Sequence, residues 1–125
     1  MVEIPRSHPR YRSLIERERI VKGLAMGIVV PEGLLAHGRG EALDYLLGEV
    51  TTPVAKKATR AAAALLLTSE RPVISVNGNA AALVGEELVR LSRTLGAPLE
   101  VNLFYRSVER VRRIRDHLLS LGAEE

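Results

Sequence analysis

Two hydrophobic periods alternate along this chain, and their order predicts its architecture. Val73, Ile74 and Val76 make a short β-branched run between Pro72 and Asn77-Gly78-Asn79, the pattern of a buried strand ending in a tight polar turn. The spacing then lengthens. Val84, Leu88, Leu91 and Leu95 recur at i, i+4, i+7 and i+11, which predicts a helix with Asn79 placed to cap its first amides and Gly96-Ala97-Pro98 to end it. A second strand follows from Leu99 to about Phe104. Because a full helix separates the two strands, they are expected to run parallel. A last helix starts at a Ser107 cap, carries Val111, Ile114, Leu118 and Leu121 inward, and stops before Gly122.

The first part of the chain is helical throughout. Ser7 and Pro9 mark the start of a helix that carries Tyr11, Leu14, Ile15, Val21 and Leu24 on one side and ends near Gly27. Ile28-Val29-Val30-Pro31 leads into a second stretch of helical spacing, broken in composition by Gly38 and Gly40. Thr52-Pro53 opens a third helix, with Val54, Ala58, Ala61, Ala62, Leu65 and Leu66 along one apolar side to about Ser69. The expected fold class is therefore α/β within a single domain. Residues 1–70 form an N-terminal helical segment, and residues 71–125 form the first βαβα part of a Rossmann-like, three-layer fold with a parallel sheet. Two parallel strands cannot bury both faces, so the sheet is expected to be incomplete in this chain and to be finished by a second copy or by further sequence.

Composition narrows the function classes. With 125 residues, 46% of them hydrophobic and 26% charged, the chain can build a core and does not read as disordered. A net charge of +3 suits anionic small ligands without requiring nucleic acid. The absence of cysteine removes disulfides, thiolate metal sites and a cysteine nucleophile. Met1 to Arg6 lacks the apolar core of a signal peptide, and the longest apolar run, Ala61 to Leu67, is too short to span a bilayer, so a cytoplasmic protein without membrane partners is expected.

The candidate chemistry collects at the strand ends. The chain has three asparagines and no glutamine; Asn77 and Asn79 follow the first strand and Asn102 lies near the end of the second. Two readings of Asn77-Gly78 stand side by side, a turn that needs positive φ and a ligand contact. Unpaired amides at a helix start attract anions, and ligands of open α/β sheets sit where strands end. Arg106, just past the second strand, is a cation on that edge. Arg39, between Gly38 and Gly40, is either a fork of donors close to backbone amides and a bound phosphate, or a surface residue at a helix break. The arginines from Arg10 to Arg19 alternate with Glu16 and Glu18 as a solvated, ion-paired face, and His8 reads as a packed or capping residue. Arg110, Arg112, Arg113 and Arg115 lack interleaved aromatics and read as a solvated face rather than a nucleic-acid surface. Together these residues predict one pocket shared by Asn77, Asn102 and Arg39.

Four stretches, Ile4-Pro-Arg-Ser-His-Pro-Arg-Tyr11, Leu35-Ala-His-Gly-Arg-Gly-Glu-Ala42, Pro72-Val-Ile-Ser-Val-Asn-Gly-Asn79 and Asn102-Leu-Phe-Tyr-Arg106, together resemble the N-terminal half of the archaeal phosphopantothenate synthetase family, the 4-phosphopantoate:β-alanine ligases. The resemblance implies an ATP-dependent, homodimeric ligase of coenzyme A biosynthesis. It would join 4-phosphopantoate to β-alanine through an acyl-adenylate, releasing AMP and diphosphate, with Mg²⁺ accompanying the nucleotide. It also implies ATP contacts at Arg17 and Arg39, and substrate or phosphate contacts at His37, Asn77, Asn79, Asn102 and Arg106; no catalytic residue and no resident metal site is assigned. A non-catalytic nucleotide- or phosphate-binding module and a basic nucleic-acid binder are the alternatives that the residues alone leave open.

Overall fold

The computed structural model describes residues 4–124; residues 1–3, part of the stretch weighed as a signal sequence, and residue 125 lie outside the described residues. Along the chain run α1 (Tyr11–Ala25), α2 (Pro31–Leu46), α3 (Pro53–Thr68), β1 (Ile74–Val76), α4 (Gly78–Leu95), β2 (Leu99–Val101) and α5 (Val108–Ser120). The two strands pair in parallel, with Ile74 opposite Leu99 and Val76 opposite Val101. The expected parallel βαβα order is therefore present, in an α-rich chain whose described sheet has two strands. β2 is shorter than predicted, although the Asn102 amide still donates to the Val76 carbonyl at 2.9 Å.

Ile74 and Val76 point into the core while Ser75 between them is exposed, the alternation that a pleated strand imposes. They meet Ile20 of α1, Ile28 and Val29 of the α1–α2 connector, Ala81 and Val89 of α4, and Ile114 and Leu118 of α5. Ile20, Val76 and Ile114 have no exposed surface. Each aliphatic side chain buried in this way contributes about 1.5–3 kcal/mol. α1 lies across both α2 and α4, so the helical first part and the βα unit share one core.

Several local expectations change. The inward face of α4 is Ala81, Gly85 and Val89, with Leu88 and Leu95 packed beside it, whereas Val84 and Leu91 are exposed. The cause is a kink: Val84 has φ −136° and ψ 29°, and at the kink the Leu83 carbonyl accepts from Arg19 Nη1 at 3.2 Å. At the other end the structure follows the sequence, with Gly96 at φ +60° as the left-handed stop. α1 has no side-chain cap at Ser7. It begins at Tyr11, and His8 supplies the turn before it by accepting the Arg10 amide on Nδ1 at 3.0 Å. Gly38 and Gly40 do not break α2, which runs unbroken from Pro31 to Leu46.

α3 is the exception to the packing. Its start follows prediction, with Thr52 Oγ1 accepting from the Ala55 amide at 3.2 Å and Pro53 in the first turn. None of its residues is buried, and Val54, Leu65 and Leu67 stand 68–79% exposed. No helix among the described residues is long and apolar enough to cross a membrane.

Candidate functional site

The predicted contact residues fall around two hollows. The first, about 240 Å³, opens at the end of β1 between the starts of α2 and α4 and the loop Leu103–Tyr105. Asn77, not Asn79, caps α4: its Oδ1 accepts from the Ala80 amide at 2.9 Å. Asn79 instead donates from Nδ2 to the Gly33 carbonyl at 2.8 Å and so ties the first turn of α4 to that of α2. Gly78 has no positive φ. Glycine is required there by proximity, because a β-carbon would lie 2.1 Å from the Ile28 carbonyl oxygen and 2.8 Å from Arg110 Nη2.

Arg110 is the cation of this hollow, and sequence spacing alone assigned it to the solvated face of α5. One turn into α5, behind the Ser107 cap, its Nε donates to the Ile28 carbonyl at 3.1 Å and its Nη1 to the Tyr105 carbonyl at 2.6 Å. Burial lowers its pKa and the nearby Glu32 carboxylate works the other way; the guanidinium stays charged at neutral pH. The hollow therefore offers the Gly78 and Asn79 amides of α4, the Ala80 amide being taken by Asn77, beside the Nη2 edge of a fixed guanidinium. Such a pair of donors suits a small anionic group. Phe104 is 95% exposed at the rim, edge-on to Tyr105 at 5.1 Å between centroids.

The second hollow is larger, about 720 Å³, and lies between the Arg6–Ser13 stretch and α2. Arg10, Ser13 and Arg17 recur at i, i+3 and i+7 along one side of α1, and all three reach Glu41 of α2. Arg10 Nη2 donates at 3.1 Å, Ser13 Oγ at 2.7 Å, and Arg17 through Nε at 3.2 Å and Nη2 at 2.7 Å. The Arg10 guanidinium also lies 4.8 Å from the Tyr45 ring centroid, a cation–π distance. Burial pushes the Glu41 carboxyl up, but hydrogen bonds from Arg17 and Ser13 and the charges of Arg17 and Arg10 outweigh it and hold the carboxyl below its ordinary range. One turn earlier on α2, His37 lines the same cavity, and its Nε2 is buried without a partner.

The predicted residues are thus divided. Asn77 and Asn79 share the strand-end hollow, while His37 and the Glu41 partner of Arg17 line the other. Arg39, Asn102 and Arg106 are exposed and line neither. The single pocket expected for Asn77, Asn102 and Arg39 is not formed. Its physical reason is the unbroken α2: Arg39 is two residues from Glu41, about 200° around the helix and away from α1. Arg10, Ser13, Glu41 and Arg110 were missed as site residues. The i, i+3, i+7 spacing on α1 was a readable signal for three donors on one side, but nothing local names Glu41 as their acceptor. Among the described residues no group of three or more His, Asp or Glu is placed to hold a metal ion.

These features define an α-rich α/β protein built on one parallel βαβ unit, with donor groups gathered where the first strand ends. A profile of the phosphopantothenate/pantothenate synthetase family matches residues 54–125, more than half of the chain. The chain belongs to that family. It is 57% identical over 124 residues to the 4-phosphopantoate–β-alanine ligase of Thermococcus onnurineus and 58% identical over 124 residues to that of Thermococcus kodakarensis, in each case over 99% of this chain and 48% of the relative. It is also 52% identical to the ligase of the same name from Methanosarcina mazei, over the whole chain and 49% of that protein. The chain spans about half the length of the curated relatives it matches.

Proposed function

We propose that this chain is the N-terminal part of a cytoplasmic, ATP-dependent ligase that condenses 4-phosphopantoate with β-alanine to 4′-phosphopantothenate in coenzyme A biosynthesis. The observation that carries the reading is identity above half to proteins of that name across the entire chain. A carboxylate oxygen of phosphopantoate attacks the α-phosphorus of ATP and diphosphate leaves. The β-alanine amine then attacks the acyl carbon, loses a proton, and AMP departs. The first step brings negative groups together and the second releases AMP as an anion, so the protein must supply fixed cations and amide donors. Arg17 and Arg39 are assigned to the nucleotide. Asn77 and Asn79 are assigned to the substrate phosphate, since they flank the α4 amides and the Arg110 edge. His37, Asn102 and Arg106 are carried as further substrate contacts. Magnesium is assigned as the companion of the nucleotide, where it would neutralise charge on the phosphates.

The sheet is assigned to a Rossmann-like, three-layer fold, for which the parallel pairing and the helix between the strands are the support. The assigned partner is a second copy of the chain. The uncovered apolar side of α3 and the basic side carrying Lys56, Lys57 and Arg60 with no acidic residue suit the exposed leucines and Asp44 of α2 in such a copy. A nucleic-acid surface on α5 is disfavoured, because Arg110 and Arg113 hold backbone carbonyls and Arg115 pairs with Asp116 at 2.9 Å. The reading is tested by assaying AMP release from ATP, phosphopantoate and β-alanine with the protein and its Arg17→Ala variant. Release that needs all three substrates and falls at least a hundredfold in the variant, a loss on the scale of an electrostatic contact to the reacting phosphates, supports it. ATP binding without AMP release supports a non-catalytic binding module instead.

A further inference from the structure

Four donor atoms converge on the single carboxylate of Glu41: Arg10 Nη2, Ser13 Oγ, and Nε and Nη2 of Arg17. The arrangement is asymmetric in exposure. The Glu41 side chain is 9% exposed and that of Arg17 45%, so a nearly buried anion grips a half-exposed cation. Arg17 Nη2 spans both carboxylate oxygens, at 2.7 and 2.8 Å, while Nε reaches Oε2 at 3.2 Å. This grip uses one edge of the guanidinium. Its remaining nitrogen, Nη1, has no acceptor among the described residues and carries two N–H groups.

We propose that Glu41 is the positioning residue of the nucleotide-binding arginine, clamping the Nε–Nη2 edge of Arg17 so that its Nη1 edge is presented to the phosphates of ATP. The proposal rests on the assignment of Arg17 to the nucleotide. Glu49 pairs with Arg10 Nε at 3.5 Å, so the two arginines and two carboxylates balance in charge, and the clamp acts by fixing the direction of the Arg17 guanidinium rather than by adding net positive charge. A free arginine loses much rotamer freedom when it binds, and one already held in place does not. Ser13 and Arg10 serve the same end by fixing the carboxylate itself, with Arg10 in turn seated over Tyr45. Burial works against the charge on Glu41, but the Arg17 and Ser13 hydrogen bonds prevail and the carboxyl stays ionised wherever ATP carries its full charge. Glu41 touches no substrate in this scheme. A competing role is available to the same geometry, in which Glu41 occupies Arg17 until phosphate displaces it, and the two roles differ in sign.

Titration calorimetry with ATP on the wild-type chain, Glu41→Gln, Arg17→Ala and the double variant separates them. The clamp predicts that Glu41→Gln weakens ATP by roughly tenfold although it removes a negative charge, and that it costs nothing further once Arg17 is alanine. Unchanged or tighter binding in Glu41→Gln, with Arg17→Ala still weakened, overturns the clamp and leaves the nucleotide assignment standing. No ATP binding by the wild-type chain, or none lost in Arg17→Ala, overturns that assignment and the clamp with it. Should Glu41→Gln fail to fold, a measurement on the wild type alone distinguishes the two roles. The Arg17 Nε–H resonance is expected to stay protected from solvent exchange when ATP is added; loss of protection on ATP addition means displacement and refutes the proposal.

Discussion

Glu41 and Gly78 show how much depends on single side chains. The Glu41 carboxyl titrates lower in the folded chain than its ordinary value of 4.5. It therefore contributes stability that is fully present above that value and is lost as pH falls through the lowered folded value. Glu41→Gln is expected to melt below the wild type at neutral pH, with the difference shrinking as the solution is acidified below that range. A difference that is constant across the whole range would mean that Glu41 contributes through packing alone. Gly78 opposes ordinary helix propensity. Alanine in a first turn would gain up to about 1 kcal/mol over glycine, yet a β-carbon here meets the Ile28 carbonyl oxygen, the acceptor that also holds Arg110. The backbone cannot swing away as a long side chain could. Gly78→Ala is expected to lose roughly 1–3 kcal/mol in denaturant unfolding, and a stabilised variant would contradict the close approach.

Among the elements, α3 stands apart because it has a well-formed start and no covered face. Leu65 is 68% exposed, so Leu65→Glu should change the stability of an isolated chain by no more than about 0.5 kcal/mol. If α3 joins two copies, the same variant should abolish self-association in sedimentation measurements. An unchanged association constant removes α3 from the interface. The elements themselves were legible because their signals are local: Thr52-Pro53, Ser107 and Gly96 mark ends within a few residues, and the strands differ from the helices in period. What was not legible is tertiary. The buried face of α4 shifts at a kink whose Leu83 carbonyl is met by Arg19, 64 residues earlier in sequence. The two glycines around Arg39 suggested a break, but α2 packs against α1 and α4 and stays helical through them. The same limit applies to the site. The asparagines at the strand end could be found from the turn that follows the strand, whereas Glu41 and Arg110 become site residues only when α2 meets α1 and α5 meets the α1–α2 connector.

For the molecule as a whole, donors are distributed rather than pooled. One hollow presents helix amides and Arg110 at the end of β1, and the other is lined by Arg10, Ser13 and Glu41 beside His37, with Arg17 joined to it through Glu41. A reaction that joins a phosphorylated acid to a nucleotide has two anionic guests to hold, and two donor sets on one core suit that demand. The proposed chemistry makes a specific claim about where an oxygen goes. When 4-phosphopantoate labelled with ¹⁸O in its carboxylate reacts with ATP and β-alanine on the protein, mass spectrometry of the AMP tests it directly. Attack on the α-phosphorus predicts one labelled oxygen in AMP. Unlabelled AMP, or label found in inorganic phosphate alongside ADP, would contradict the adenylate route.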